Sequence, residues 1–261
     1  MESRESLINL SLMYKGDYRA IYSHISKREP MPDKPMPALK CKTLTILDPE
    51  YPDELRQMNM PPFVLYYYGD ISLLKEYDKN IAVIGARDCT EYGITYTYKI
   101  VRGIAKQVNV VSGLARGIDA IAHEAAIRNG GRTIAILGCG IDMCYPAENK
   151  ALYEEIKKNH LLISEYPGKE YTDLSGFPLR NRIIAQISKT VFITEAYEKS
   201  GTSITASYAL EMNKDVACIP YEIGKNSFCN ALIKKGAYLV ESADDILEIM
   251  GLSDKPCLFP Y

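Results

Sequence analysis

The chain has 261 residues, of which 47% are hydrophobic and 25% are charged, and its formal net charge at pH 7 is −2. This balance is ordinary for a globular protein, and the length suffices for a full hydrophobic core. It excludes a protein that is basic over its whole surface. Any site for a nucleic acid would therefore be a local patch of positive charge on a nearly neutral body.

Cysteine and histidine usage argues against a metal centre. The seven cysteines form no Cys-x-x-Cys pair, and the three histidines form no His-Glu-x-x-His sequence. We expect reduced thiols and no metal site. The opening sequence MESRESLINL contains no long apolar stretch. It predicts neither a signal peptide nor a membrane span, and hence a cytoplasmic protein without a membrane partner.

The first 37 residues differ from the rest of the chain. Residues 1–28 have the polar and apolar spacing of short helical turns, and Glu29–Pro37 contains four prolines. Prolines at this density predict a semi-rigid linker. We therefore predict a helical appendage with its linker at 1–37 that packs weakly, a main domain at 38–251 and a tail at 252–261.

Nine short apolar runs follow in the main domain, and helical patterns lie between most of them. The runs are LTIL (44–47), FVLYYYG (63–69), IAVIGA (81–86), VNVVSG (108–113), TIAILG (133–138), LLISEY (161–166), TVFITEA (190–196), DVACIP (215–220) and AYLV (237–240). Strands that alternate with helices predict βαβ units and a parallel sheet. Because the runs are continuously apolar, helices should cover both faces of that sheet.

Two of the helical segments carry more detailed predictions. The segment after the third run has several apolar residues on one face, namely Ile94, Tyr98, Val101, Ile104 and Ala105. The sequence SADD at 242–245 predicts a capping box that begins the last helix.

Glycine-rich turns follow four of the predicted strands. They contain Gly85-Ala86-Arg87, Ser112-Gly113-Leu114-Ala115-Arg116-Gly117, Gly138-Cys139-Gly140 and Lys199-Ser200-Gly201-Thr202. Ligands of parallel sheets bind outside the carboxyl ends of the strands. Helix N-termini, hydroxyls and arginines there favour an anion, and glycine lets it approach the backbone. Together the turns predict an anion site, although any one of them could be a plain turn.

A fifth element has the same character. In the sequence FPLRNR, which begins at Phe177, Arg180 and Arg182 lie on either side of Asn181 at the expected start of a helix. We predict that these residues join the anion site. The alternative is that the two arginines are solvated surface charge.

Dinucleotide and nucleotide motifs are incomplete. A GxGxxG sequence starting at Gly138 would need glycine at position 143, where Met143 stands, and the GxxxxGK[ST] pattern is absent. A lone GxG is weak evidence, so we predict no cofactor.

Catalytic residues are not evident either. Asp119 and His123 are four residues apart and could pair as base and orienting group. We favour a simpler interpretation, an acid at a helix N-terminus and a half-buried histidine. Ser112 and Ser200 lack the GxSxG context of a nucleophile. We therefore predict that the protein is not an enzyme.

A family resemblance accounts for these motifs together. In chain order they are GARDCTEYG (85–93), SGLARGID (112–119), AH (122–123), LGCGID (137–142), YPAEN (145–149), SEYP (164–167), FPLRNRII (177–184) and SGTSITA (200–206). From about residue 44 to 240 the chain closely resembles the DNA-processing protein A (DprA/Smf) family. The resemblance implies an α/β, extended Rossmann-type fold, in which a mostly parallel sheet has helices on both faces. The short N-terminal helical appendage is additional to this fold.

The resemblance also implies a function. Members bind single-stranded DNA without sequence preference, protect it, load the recombinase RecA onto it during natural transformation and recombination, and form homodimers. Combined with the anion chemistry, it predicts a DNA site made of Gly85, Ala86, Arg87, Ser112, Gly113, Arg116, Gly117, Gly138, Phe177, Arg180, Asn181, Arg182, Lys199, Ser200, Gly201 and Thr202. Tyr92, Phe177 and the Tyr66–Tyr68 run are candidates for base stacking. For the Tyr66–Tyr68 run we favour ordinary strand packing.

An alternative function comes from a related Rossmann group. Cytokinin-riboside phosphoribohydrolases are similar in placing a GGxGTxxE signature at the matching strand end. Here Thr205 stands where their glutamate falls. A nucleotide-sensing or nucleotide-hydrolysing protein thus remains the second hypothesis. The chain also departs from the DprA/Smf pattern at Tyr221 and Phe228, where that family often has glycine.

Overall fold

The computed structural model describes residues 4–32, 38–169, 176–197, 200–222, 225 and 228–253. In chain order, the helices and strands of these residues are α1 (Arg4–Met13), α2 (Tyr18–Ser26), β1 (Lys42–Thr45), α3 (Asp53–Arg56), β2 (Val64–Gly69), β3 (Asn80–Gly85), α4 (Glu91–Ile104), β4 (Asn109–Ser112), α5 (Ile118–Arg128), β5 (Arg132–Leu137), α6 (Lys150–Asn159), β6 (Leu161–Ser164), α7 (Gly176–Gln186), β7 (Thr190–Glu195), α8 (Gly201–Glu211), β8 (Asp215–Cys218), α9 (Phe228–Ile233), β9 (Tyr238–Leu239) and α10 (Ala243–Ile249).

The strands form one sheet in the order β1-β2-β6-β5-β4-β3-β7-β8-β9. Pairing is parallel from β6 to β9, whereas β2 pairs antiparallel with both β1 and β6. Strand β3 lies between β4 and β7, so the strand order reverses there. The carboxyl end of β3 is therefore a topological switch point, where open α/β sheets bind their ligands.

Helices cover both faces of the sheet, as β3 shows. Ala82 and Ile84 pack in a buried cluster with residues of α7 and α8, whereas Ile81 and Val83 pack in another with residues of α4, α5 and α10. Successive side chains of a strand point to opposite faces, and here each face has its own apolar layer. The predicted α/β class with a mostly parallel, doubly covered sheet is confirmed.

The N-terminal helices pack more closely than expected. Leu7 and Ile8 of α1 are 4% and 0% exposed and lie in a buried cluster with Val64 of β2 and Tyr66. The Tyr66 hydroxyl donates to Ser11 Oγ over 3.0 Å. Weak packing was the wrong expectation, because α1 covers part of an apolar face of β2 and its apolar side chains are buried there. The proposed division into domains stays a prediction.

The buried face of α4 is rotated from the predicted one. Val101 and Ile104 are buried as expected, but Ile94 is 42% exposed. The helix faces the sheet instead with Gly93, which lies against the Glu195 side chain, and with Thr97, whose hydroxyl donates to that of Thr194. The apolar spacing missed this face because a glycine and a threonine make the contact.

Two smaller features complete the fold. Ser242 and Asp245 form the predicted capping box at the start of α10. Within the described parts of the chain, no helix has the length and apolar character needed to cross a bilayer.

Candidate functional site

A cleft of about 710 Å³ opens at the carboxyl end of β3. Its walls come from the loop after β3, the loop before α5 and the first turns of α7 and α8. A recess of about 210 Å³ adjoins it. We call the cleft the main lobe and the recess the side lobe. Four residues border both lobes, namely Arg87, Ala115, Phe177 and Arg180.

Helix α8 points its N-terminus into the main lobe. Ser200 is the N-cap residue, and its buried hydroxyl oxygen has no hydrogen-bond partner among the described residues. A β-carbon added at Gly201 would have no atom within 4 Å, so the backbone there is open to a ligand. Thr202 Oγ1 donates to Gly85 O over 3.0 Å and ties α8 to the end of β3. The geometry suits an anion at the helix N-terminus.

Helix α5 begins beside the same cleft. Its N-cap residue, Gly117, has φ = +80°, and a β-carbon there would collide with the carbonyl oxygens of Ala86 and Arg87. Glycine lets the loops after β3 and β4 touch at this point. Ile118 N also donates to Ala86 O over 3.1 Å. Gly117 lines neither lobe. It contributes to the site by letting these two loops pack together.

Arg180 is built into the wall of the cleft. The side chain is 4% exposed and donates to Gly113 O over 2.7 Å, to Ile136 O and to Asn181 Oδ1. Burial lowers the pKa of the guanidinium, and the nearby Asp119 carboxylate opposes that shift. Because an arginine remains charged in proteins, Arg180 places a fixed positive charge between the two lobes.

Asp119 and His123 do not form the catalytic pair considered above. Asp119 accepts from Gly113 N over 3.1 Å, and burial raises the pKa of its carboxyl against the opposing effect of Arg180. His123 is fully buried and contacts Thr133 Oγ1 at 2.6 Å through Nδ1. Burial lowers its pKa to about 3. The expected half-buried histidine is therefore a neutral core residue.

Arg182 points away from both lobes. Its guanidinium makes two hydrogen bonds of 2.8 Å with the Glu165 carboxylate and one of 3.2 Å with Met60 O. Both charged side chains are buried. The structure therefore does not bring Arg182 to the cleft with Arg180, and it is not the solvated surface charge of the alternative hypothesis either.

Two other predicted site residues are enclosed. Ser112 is buried and its hydroxyl donates to Val83 O over 2.7 Å. Gly138 is buried, and a β-carbon there would lie 2.7 Å from the Phe177 ring. Gly138 therefore acts by letting Phe177 come close to the sheet. Lys199 lies outside the described residues.

The remaining predicted residues border the cleft. The main lobe includes Gly85, Ala86, Arg87, Phe177, Arg180, Asn181, Ser200, Gly201 and Thr202, and the side lobe includes Gly113 and Arg116. Arg87 is exposed. Arg116 is ion-paired with Asp88, a main-lobe residue, and both of these side chains are solvent-accessible. The lining of the two lobes thus combines three arginines with three carboxylates, namely Asp88, Asp119 and Glu148.

Sequence reasoning missed several residues of the cleft. Asp88 and Tyr197 border the main lobe, and Tyr145 borders the side lobe. Tyr145 is the first residue of the YPAEN motif (145–149), which was the available signal. Glu195 keeps its carboxylate occupied, since it accepts from Thr90 N and Thr90 Oγ1 at 2.9 and 3.1 Å and from the Tyr197 hydroxyl at 2.9 Å.

The candidates for base stacking lie in different places relative to the two lobes. Tyr66 is fully buried, and the Tyr68 hydroxyl donates to Asp142 Oδ1 over 2.6 Å, so the Tyr66–Tyr68 run packs as strand residues. Tyr92 contacts Tyr221, with ring centroids 4.9 Å apart, and donates to Pro220 O. Among the candidates, Phe177 alone borders the lobes in the described structure.

Comparison with known families identifies the chain at this point. The family model described as DNA recombination-mediator protein A matches residues 42–251. The chain belongs to this family. The DprA/Smf resemblance inferred from the motifs is therefore confirmed.

Relatives agree in sequence and in structure. The DNA processing protein DprA of Streptococcus pneumoniae is 42% identical over 210 residues, which cover 80% of this chain and 74% of that protein. A crystal structure of DprA from that species is similar with a TM-score of 0.77 and 34% identity over 95% of this chain and 93% of the other. A Helicobacter pylori DprA structure, concerned with its single-stranded DNA binding mode, has a TM-score of 0.72 and 31% identity, covering 80% and 95% of the two chains.

Proposed function

We propose that the two-lobed cleft binds single-stranded DNA without sequence preference. The observation that carries the proposal is that Arg87, Arg116 and Arg180 meet the N-termini of α5 and α8 around one cleft at the switch point of the sheet. Guanidiniums and helix N-termini are the groups that proteins direct at phosphates.

The cleft offers little to read a base sequence. Its cationic groups suit phosphates, which carry no sequence information, and Phe177 offers an aromatic face on which any base can stack. An open cleft also suits a flexible single strand, because its bases are free to turn toward the protein. Support comes as well from the Helicobacter pylori DprA, for which a single-stranded DNA binding mode is described.

Membership of the family supports a proposal for the biological role. We infer that the protein protects incoming single strands and loads RecA onto them in transformation or recombination, and that it acts as a cytoplasmic homodimer without catalysing a reaction. The two carboxylates that line the main lobe are engaged, Asp88 with Arg116 and Asp119 with Gly113 N, which supports a binding role.

Nucleotide sensing or hydrolysis is the rival hypothesis. Thr205 borders the main lobe where the rival group has its glutamate, and its hydroxyl donates to Gly201 O over 3.4 Å. A threonine cannot replace a carboxylate at the sugar carbon, so binding is favoured over hydrolysis.

A titration of the purified protein separates the two hypotheses. Labelled oligo-dT, the same sequence as a duplex, and AMP, NAD and ADP-ribose are compared over a salt series. We expect single-stranded DNA to bind most tightly. Its affinity should fall as salt rises, because the arginines of the cleft displace counterions from the strand and added salt opposes that release. Tight binding of a free nucleotide with release of its base, and none of DNA, would favour the rival hypothesis.

A further inference from the structure

We propose that helix α2 carries a second contact surface for single-stranded DNA, formed by the exposed ring of Tyr22 and the cations Arg19, Lys27 and Arg28. We call it the α2 surface. This inference rests on the proposed DNA binding and extends it beyond the cleft to the N-terminal helices. A strand held in the cleft runs along the edge of the sheet and meets the α2 surface with a later nucleotide.

Three aromatic rings are stacked at α2. The Tyr18 ring lies between those of Phe63 and Tyr22, with centroid distances of 5.1 and 6.0 Å and interplanar angles of 16° and 14°. Phe63 packs against a buried apolar cluster, whereas Tyr22 at the other end of the stack is 56% exposed. A stack that is anchored inside and open outside offers its last ring to a base, since every base has a flat π face.

The cations of the α2 surface are available to phosphates. The side chains of Arg19, Lys27 and Arg28 are exposed and make no ion pair within the described part of the chain. The two acidic residues that flank α2 are engaged elsewhere, because Asp17 caps the helix and Glu29 contacts a buried histidine. Arg19 is three residues before the exposed tyrosine and so neighbours it on the helix surface. Cations beside an open ring are the combination with which proteins track a single strand.

The α2 surface and the cleft lie at the same edge of the sheet. Gly16, at the start of the turn into α2, is so close to the residues after β6 that an added β-carbon would collide with Glu165 O. Strands β3, β4, β5 and β6 are parallel neighbours, so their carboxyl ends share one edge. From β3 to β6 there are three strand spacings of about 4.8 Å, or about 14 Å. About four nucleotides cover that distance even at the duplex rise of about 3.4 Å per nucleotide.

The test compares a strand that only fills the cleft with one that also reaches α2. Binding of wild type, Tyr22→Ala and Arg19→Ala is measured with oligo-dT of about 4 and of about 20 nucleotides. We expect Tyr22→Ala to lose between about fivefold and a hundredfold in affinity for the long strand, the range for one stacked base. Arg19→Ala should reduce the slope of log affinity against log salt for the long strand by about 0.7. Neither variant should change the affinity for the short strand.

Three further variants serve as controls. Tyr22→Phe should restore binding of the long strand, since it keeps the aromatic face, whereas Tyr22→Leu should not, although it keeps apolar bulk. Arg102→Ala removes an exposed arginine of α4 that also makes no ion pair among the described residues, and should bind both strands as wild type does. Unchanged affinity for the short strand shows in each case that the variant is folded.

The outcomes separate the α2 surface from the proposed function. If Tyr22→Ala and Arg19→Ala bind the long strand like wild type while Arg87→Ala is impaired, the α2 surface is overturned and binding in the cleft stands. Equal losses on both strands would also overturn it, since the variants would then act through the cleft. If wild type binds neither strand, the proposed function fails and the α2 surface with it.

Discussion

Glu165 accepts two hydrogen bonds of 2.8 Å from one guanidinium nitrogen of Arg182, and the two side chains are only 4% and 3% exposed. This buried pair joins α7 to the end of β6. Arg180, two residues earlier, lies in the wall of the cleft, where its guanidinium donates to Gly113 O. Residues i and i+2 of a helix do not share a face, so one arginine serves the site and the other the scaffold.

Removing the charge of Arg182 should destabilise the fold. Arg182→Ala leaves the Glu165 carboxylate buried without its partner, and such losses cost about 3–5 kcal/mol. Denaturant unfolding measures the change in the free energy of unfolding. As a control, Arg128→Ala removes an exposed pair with Glu124 and should change stability by about 1 kcal/mol or less. Equal stability of the Arg182 variant and wild type would contradict the structural role.

The rim pair of Arg116 and Asp88 should give changes of opposite sign in DNA affinity. Arg116→Ala should weaken binding to all sequences alike and reduce the slope of log affinity against log salt by about 0.7, the value for one phosphate contact on a single strand. Asp88→Asn should tighten binding, because it removes a negative charge from the main lobe and releases Arg116. A salt series of anisotropy titrations measures both. An Arg116 variant that binds as wild type does would disprove the assignment of the site.

Gly117 should be intolerant of a side chain. Gly117→Ala places a β-carbon against the carbonyl oxygens of Ala86 and Arg87 at φ = +80°, so the loops that shape the cleft must separate. We expect at least tenfold weaker DNA binding, about 1.4 kcal/mol. Gly168→Ala is the matched control, since Gly168 also has a positive φ of +58° but no atom within 4 Å. It should cost about 1–2 kcal/mol of stability from backbone strain and leave binding intact. Similar binding losses in both variants would point to strain rather than to the loop contact.

His123 should make the fold sensitive to acid. Its pKa is about 3 in the folded protein, against about 6.5 when unfolded. Below pH 6.5 the unfolded state binds a proton that the folded state excludes, so this residue's contribution to stability falls as pH falls from about 6.5 toward 3. The loss approaches about 1.4 kcal/mol per pH unit.

The matched variant for that prediction is His123→Gln. The pKa values of Glu165 and Asp119 are raised by burial and that of His160 is lowered, so they also shape the pH profile. Subtracting the unfolding free energy of the variant from that of wild type isolates His123. A difference that is flat between pH 6.5 and 4 would refute the prediction.

The nine strands of the described residues were predictable from sequence because each is a short apolar run between turn residues. Every run contains residues of an observed strand. Helix faces were less predictable. The buried face of α4 includes Gly93 and Thr97. Apolar spacing does not reveal that Gly93 allows a close approach to the Glu195 side chain, or that Thr97 donates a hydrogen bond to Thr194.

The candidate site was also predictable only in part from the sequence. The amino-acid sequence by itself determined the α/β class, the family and the glycine- and arginine-rich turns at the strand ends, because these depend on local patterns. Only the tertiary structure decided that Arg180 faces the cleft and Arg182 a buried carboxylate, and that Tyr145 meets Phe177 at the side lobe. Those relationships join residues of different elements, and the direction of a side chain depends on which neighbouring element it packs against.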